Sequence, residues 1–80
     1  MQTVNPYAMF AYMKLTDRQK EVLAFVKSYM KTSGMPPSRK EIAAHFKFKS
    51  PAAAQDHLVK LAKNGAIRLI PNISRGIVIL

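Results

Sequence analysis

The sequence lacks cysteine altogether and has only four acidic residues and three glycines among its 80 positions. Without cysteine, the chain has no disulfide framework, no thiolate nucleophile and no cysteine-ligated zinc or iron–sulfur site. No apolar run approaches the roughly 18 residues of a membrane span, and the first residues do not follow the pattern of a signal peptide. We therefore expect a soluble, cytoplasmic protein without a membrane partner.

Basic residues dominate the charge of the chain. Thirteen Lys and Arg against four Asp and Glu give a net charge of +9 and a pI of about 10.3. Hydrophobic residues make up 49% of the sequence, which favours a folded globule, and 80 residues provide for one domain. An excess of positive charge destabilises a compact state by self-repulsion. A polyanionic partner is the usual reason for a protein to keep such an excess. Nucleic acid is therefore the leading partner class.

The sequence shows no pattern of residues that would support catalysis. His45 and His57 lie twelve positions apart, on different predicted helices, and no metal-ligand spacing or glycine-rich phosphate loop accompanies them. We expect no enzyme activity, no catalytic residue, no metal and no cofactor. Both histidines are expected to lie at packing contacts between helices or against the backbone.

The first predicted helix covers residues 16–33. Thr16 and Gln19 have the spacing of a capping box, in which two free backbone N–H groups are satisfied reciprocally. Gly34 is a suitable stop because it adopts the left-handed conformation without steric cost. Apolar residues recur at helical spacing in between: Val22, Val26, Tyr29 and Met30.

Two shorter helices are predicted to follow, separated by a turn at residues 47–49. Ser38 and Glu41 form a second capping box, which begins a helix over 38–46. At Ser50-Pro51, a serine suited to N-capping precedes a proline at the first helical position, which predicts a helix over about 51–64.

Extended, β-branched runs at 66–70 and 76–80 flank a loop at 71–75, which predicts a hairpin. The fold class is thus mainly α with a small β-hairpin, arranged as a three-helix winged helix-turn-helix over residues 15–80. Residues 1–14 are expected to be a flexible N-terminal extension. The alternatives are a packing or self-association arm, or a biological start at Met13.

In a helix-turn-helix, residues near the N-terminus of the second helix reach base edges in the major groove. Gln55 can pair with adenine through N6 and N7, and Asp56 can accept from a cytosine amino group. A solvated helix face with ordinary capping is the alternative interpretation. The candidate base-reading residues are Ser50, Ala52, Ala53, Gln55 and Asp56.

Cations surround this segment in the sequence, and each is a candidate to neutralise a DNA phosphate without reading sequence. The candidate phosphate contacts are Arg39, Lys40, Lys47, Lys49, Lys60, Lys63 and Arg75. The basic residues of the first helix are expected to belong to a solvated face.

From about Met13 to Leu80 the chain resembles the N-terminal DNA-binding domain of the LexA repressor family. The resemblance is carried by Leu15-Thr16, Arg18-Gln19, Glu21-Val22, Thr32-x-Gly34-Met35-Pro36-Pro37, Glu41-Ile42-Ala43, Phe48-Lys49-Ser50-Pro51-x-Ala53-Ala54-x-x-His57-Leu58 and Ser74-Arg75-Gly76-Ile77. It implies a transcriptional repressor, associated with the SOS response, whose third helix reads an operator in double-stranded DNA while the wing contacts the backbone. Operators of such proteins are commonly pseudo-palindromic. We therefore expect two copies of this chain to bind one operator as a homodimer on DNA.

Two departures from the family pattern bear on function. The family usually has asparagine at the position of Ala52 and acidic residues at those of Gln55 and Asp56, so the usual operator is not assumed. Family members also continue into a Ser/Lys peptidase domain that is not part of these 80 residues, so no peptidase activity is expected. A winged-helix adaptor for proteins and a nonspecific DNA binder are the alternative functions.

Overall fold

The computed structural model describes residues 15–80, and it consists of three helices followed by a two-stranded antiparallel sheet. Its elements are α1 (Asp17–Ser33), α2 (Arg39–Phe46), α3 (Pro51–Lys63), β1 (Ile67–Leu69) and β2 (Ile77–Ile79). The predicted fold class and the order of its elements are confirmed. The expectations for residues 1–14 lie outside the described residues.

Both predicted capping boxes are present at the starts of α1 and α2. The Gln19 amide N–H donates to Thr16 Oγ1 at 3.2 Å, and the Thr16 N–H donates to Gln19 Oε1 at 3.0 Å. In the same way, the Glu41 N–H donates to Ser38 Oγ at 3.2 Å and the Ser38 N–H to Glu41 Oε1 at 2.8 Å. Each box satisfies two backbone donors that the first helical turn leaves free.

The helices α1 and α2 both end at a residue in the left-handed conformation. Gly34 closes α1 in the left-handed region, with φ of 75°, as predicted. Lys47 closes α2 at φ of 58°, a conformation that costs a residue with a side chain about 1–2 kcal/mol. The Phe48 N–H then donates to the Ala43 carbonyl at 2.9 Å, so the turn is tied back to α2.

The prediction that the Ser50 hydroxyl caps α3 is wrong. Ser50 occupies the N-cap position and Pro51 the first helical position, but the serine side chain makes no capping hydrogen bond. The Ala53 N–H donates instead to the Ser50 backbone carbonyl at 3.1 Å, and Pro51 has no N–H to satisfy. The first turn of α3 is thus stabilised by a main-chain hydrogen bond rather than by a side-chain cap.

One hydrophobic core holds the three helices and the sheet together. The inner face of α3 contributes Ala54, Leu58 and Leu61, each fully buried. The remaining core residues come from the N-terminal segment, α1, α2 and the two strands: Leu15, Val22, Leu23, Val26, Ile42, Ala43, Ile67 and Ile77. Because this core takes up one face of α3, the opposite face of that helix is directed away from it.

The strands form a hairpin, the wing, with Ile67 opposite Ile79 and Leu69 opposite Ile77. Each strand has three residues rather than the five predicted. Backbone pairing nevertheless extends to the predicted ends, since the Ile70 N–H donates to the Gly76 carbonyl at 2.8 Å. Glycine is required at position 76, because a Cβ there would lie 2.7 Å from the Ile70 carbonyl oxygen.

Candidate nucleic-acid interface

The N-terminal end of α3 lies on the surface of the domain. Ser50, Ala52 and Asp56 are exposed, and Ala53 and Gln55 are half-buried. All five candidate base-reading residues therefore share one accessible end of one helix, and the buried residues of α3 lie on its other face. A single α-helix with such an exposed end fits the width of a major groove, about 12 Å.

Five of the seven candidate phosphate contacts are exposed lysines. Lys40 is in the first turn of α2, and Lys47 and Lys49 belong to the turn that precedes α3. Lys60 and Lys63 are also exposed, but at 1.5 Å per residue they lie about 15 and 20 Å further along the helix than Ser50. Lys47 and Lys49 are thus the lysines that directly precede the exposed end of α3 in the chain.

Arg39, the sixth candidate, is half-buried and bridges three elements. Its Nε donates to Gln55 Oε1 on α3, and its Nη1 donates to the Ser74 carbonyl in the wing loop at 3.3 Å. Sequence reasoning placed both Arg39 and Gln55 in the interface but did not predict that they contact each other, because sixteen positions separate them.

Arg75, the seventh candidate, is held within the domain by Glu41. The two Nη atoms of Arg75 lie 2.6 and 3.1 Å from the two carboxylate oxygens, and Nη1 also donates to the Pro36 carbonyl at 2.9 Å. Tyr29 Oη donates to the same carboxylate at 2.7 Å. This ion pair fastens the wing to the start of α2, and the role of Arg75 in phosphate contact stays a prediction.

The ion pair has a clear electrostatic signature. The Arg75 guanidinium, the Ser38 N–H and the Tyr29 hydroxyl stabilise the ionised carboxylate and lower the pKa of Glu41 from 4.5 to about 2. The same bond raises the pKa of Arg75. Glu41 therefore serves both the capping box and the wing. The sequence signalled only the first role, since Arg75 is thirty-four positions away.

His45 lies at a contact between helices, as predicted, whereas His57 packs against a side chain of the turn. The His45 ring stacks on Phe25 of α1 with centroids 4.1 Å apart, and the His57 ring stacks on Phe48 of the turn at 5.2 Å. His57 Nδ1 is buried without a hydrogen-bond partner. Burial, together with nearby Lys60 and Arg18, lowers the pKa of His57, which favours the neutral ring.

The basic residues of α1 differ in their surroundings. Lys27 and Lys31 are exposed, which agrees with a solvated face. Arg18 pairs with Glu21 at 3.3 Å and lies over the Phe46 ring at 5.5 Å.

Within residues 15–80, no group of three or more His, Asp or Glu side chains is placed to hold a metal ion. In that same part of the chain, no helix combines the length and apolarity needed to cross a membrane.

The three helices, the exposed end of α3 and the attached hairpin define a winged helix-turn-helix, a class of nucleic-acid-binding domain. Residues 12–76 match the family model of the LexA DNA binding domain, and the chain belongs to that family. The resemblance found in the sequence is thus confirmed, and so is DNA binding as the function of the family.

Curated relatives show the same relationship. The chain is 54% identical over 65 residues to LexA repressor 1 of Pseudomonas putida and 57% identical over 65 residues to the LexA repressor of Dechloromonas aromatica. Each alignment covers 81% of this chain and 32% of the relative. The LexA repressor of Pseudoalteromonas atlantica is 56% identical over 63 residues, which is 79% of this chain and 30% of that protein. The chain therefore spans about a third of the length of these relatives.

Proposed function

We propose that this chain binds double-stranded DNA at specific sequences by placing the N-terminal end of α3 in the major groove. The observation that carries the proposal is the position of residues 50–56, which lie at an exposed helix end that the exposed residues Lys47 and Lys49 directly precede. Membership of the LexA DNA-binding domain family supports it. Phosphate contacts from the lysines would fix the register, and side chains on α3 would read bases.

The roles of individual residues follow from their surroundings. Ser50, Ala52, Ala53, Gln55 and Asp56 are the proposed base contacts, and the Ser50 hydroxyl is available to DNA because it makes no capping bond. Lys47 and Lys49 are the proposed phosphate contacts nearest to them in the chain, and Lys40, in the first turn of α2, is a further proposed contact. Lys60 and Lys63 would contact phosphates further along α3. Arg39 and Arg75 already have hydrogen-bond partners in the domain, so their contacts with phosphate would be shared.

The biological role we propose is transcriptional repression by occlusion of a promoter, with the SOS response as its setting. It is supported by the relatives, which are named LexA repressors. The domain acts here by binding alone, without a cofactor and without catalysis. Two copies would bind a pseudo-palindromic operator as a homodimer on DNA. Ile73, 52% exposed at the tip of the wing, is one candidate for contact between the two copies.

Selection of bound sequences from a random duplex pool tests this proposal. We expect an enriched motif with two half-sites whose centres lie one helical turn apart, about 10 base pairs. Binding that falls steeply with salt but enriches no sequence would identify a nonspecific binder instead. A protein adaptor would show DNA affinity that is unchanged by substitutions on the exposed face of α3.

A further inference from the structure

The Arg39–Gln55 contact restricts how Gln55 can meet a base. A glutamine amide has one accepting oxygen and one donating NH₂ group, and without a neighbour either end can face a ligand. The guanidinium of Arg39 is a donor only, so the atom of Gln55 that it contacts must be the oxygen. Its Nε donates to Gln55 Oε1, so the NH₂ group is the end of the amide that this contact leaves for a ligand.

Arg39 is itself held in place. It occupies the first position of α2, which the Ser38 capping box fixes, and its Nη1 donates to the Ser74 carbonyl of the wing loop. The side chain is half-buried between these elements. A donor fixed in this way lowers the entropic cost of orienting the glutamine before DNA arrives.

The orientation of the amide has a consequence for base recognition. Bidentate reading of adenine requires the glutamine oxygen to accept from N6 while its NH₂ donates to N7. Oε1 has a second lone pair, but an adenine amino group that donated to it would lie beside the positively charged guanidinium of Arg39, and this like polarity of two donors disfavours the adenine contact. Guanine instead has two acceptors in the major groove, O6 and N7, and both suit an NH₂ donor.

We propose that Arg39 is a specificity-determining positioning residue, which holds Gln55 as a hydrogen-bond donor and selects guanine over adenine at the base pair that Gln55 faces. This inference rests on the proposed function, because it needs α3 in the major groove. It replaces the adenine contact expected from the sequence.

The test compares Arg39→Met with Lys40→Met. Both remove one positive charge from the first turn of α2, but only the first removes the donor to Gln55. Selection from a random duplex pool first locates the relevant base pair as the one whose preference is lost in Gln55→Ala. At that pair, the wild-type chain should prefer guanine over adenine by about tenfold. Arg39→Met should shift the preference toward adenine, and Lys40→Met should weaken binding on all sequences without such a shift.

A measurement on the free protein checks the cause. The side-chain NH₂ resonances of Gln55 should move in Arg39→Met and stay in place in Lys40→Met, and the dispersed backbone spectrum will show that both variants fold. Unmoved NH₂ resonances, or a preference for guanine that survives in Arg39→Met, would overturn the inference while leaving sequence-specific binding intact. A wild-type chain that enriches no sequence would instead overturn the proposed function, and this inference with it.

Discussion

Neutralising the two lysines of the turn, Lys47→Gln with Lys49→Gln, should reduce the salt dependence of DNA binding. Both side chains are exposed immediately before α3, where phosphates would flank a helix in the groove. Each lost phosphate contact lowers the slope of log K against log salt by about 0.9, so the double variant should lose about 1.8. Between about 50 and 200 mM salt, wild-type affinity should therefore fall roughly tenfold more than that of the variant.

Fluorescence anisotropy with a labelled duplex at several salt concentrations measures this slope. Lys27→Gln with Lys31→Gln is the matched control, because it removes the same charge from exposed positions on α1. The control should leave the slope unchanged. An equal reduction in both double variants would show that net charge, rather than contact by the turn, governs binding. An unchanged slope in Lys47→Gln with Lys49→Gln would refute phosphate contact by these lysines.

Three further predictions concern stability. Thr16→Ala should lower the free energy of unfolding by about 1 kcal/mol and Ser50→Ala by much less, because only the Thr16 side chain makes a capping hydrogen bond. Urea denaturation of both variants will show the difference. Equal losses of stability would contradict the observed start of α3. The depressed pKa of Glu41 stabilises the folded chain above 4.5, and this contribution is lost as the pH falls from 4.5 toward about 2. Over that pH range, Glu41→Gln should lose less free energy of unfolding than the wild type. Parallel plots of stability against pH for the two proteins would show that the ion pair does not contribute. Gly76→Ala should lower the thermal midpoint, since its Cβ would meet the Ile70 carbonyl; an unchanged midpoint would mean that the wing loop relaxes freely.

The sequence was sufficient for the features that depend on near neighbours. Thr16 with Gln19 and Ser38 with Glu41 lie three positions apart, so the side chains that cap each helix are visible in the sequence itself. Gly34 shows the end of α1 in the same way. The order of the elements follows from these local signals together with the change from helical to extended apolar spacing.

The features that the sequence did not predict depend on contacts between distant residues or on backbone geometry. Arg75 looked like a free cation of the wing loop, and only the packing of the wing on α2 brings it to Glu41. Serine is a good N-cap residue, so the sequence predicted that the Ser50 hydroxyl would cap α3. In the structure, the Ala53 N–H donates to the Ser50 backbone carbonyl instead. In the candidate interface, residue types could be chosen from the sequence, but the amide orientation of Gln55 required the position of Arg39.

Titration of the ¹⁵N-labelled chain with a selected operator duplex tests the placement of α3 in the groove most directly. With α3 in the groove, the backbone amides of residues 50–56 and of the preceding turn should shift most, while those of Lys27 and Lys31 on α1 stay in place. Large shifts on α1, with residues 50–56 unmoved, would contradict this placement.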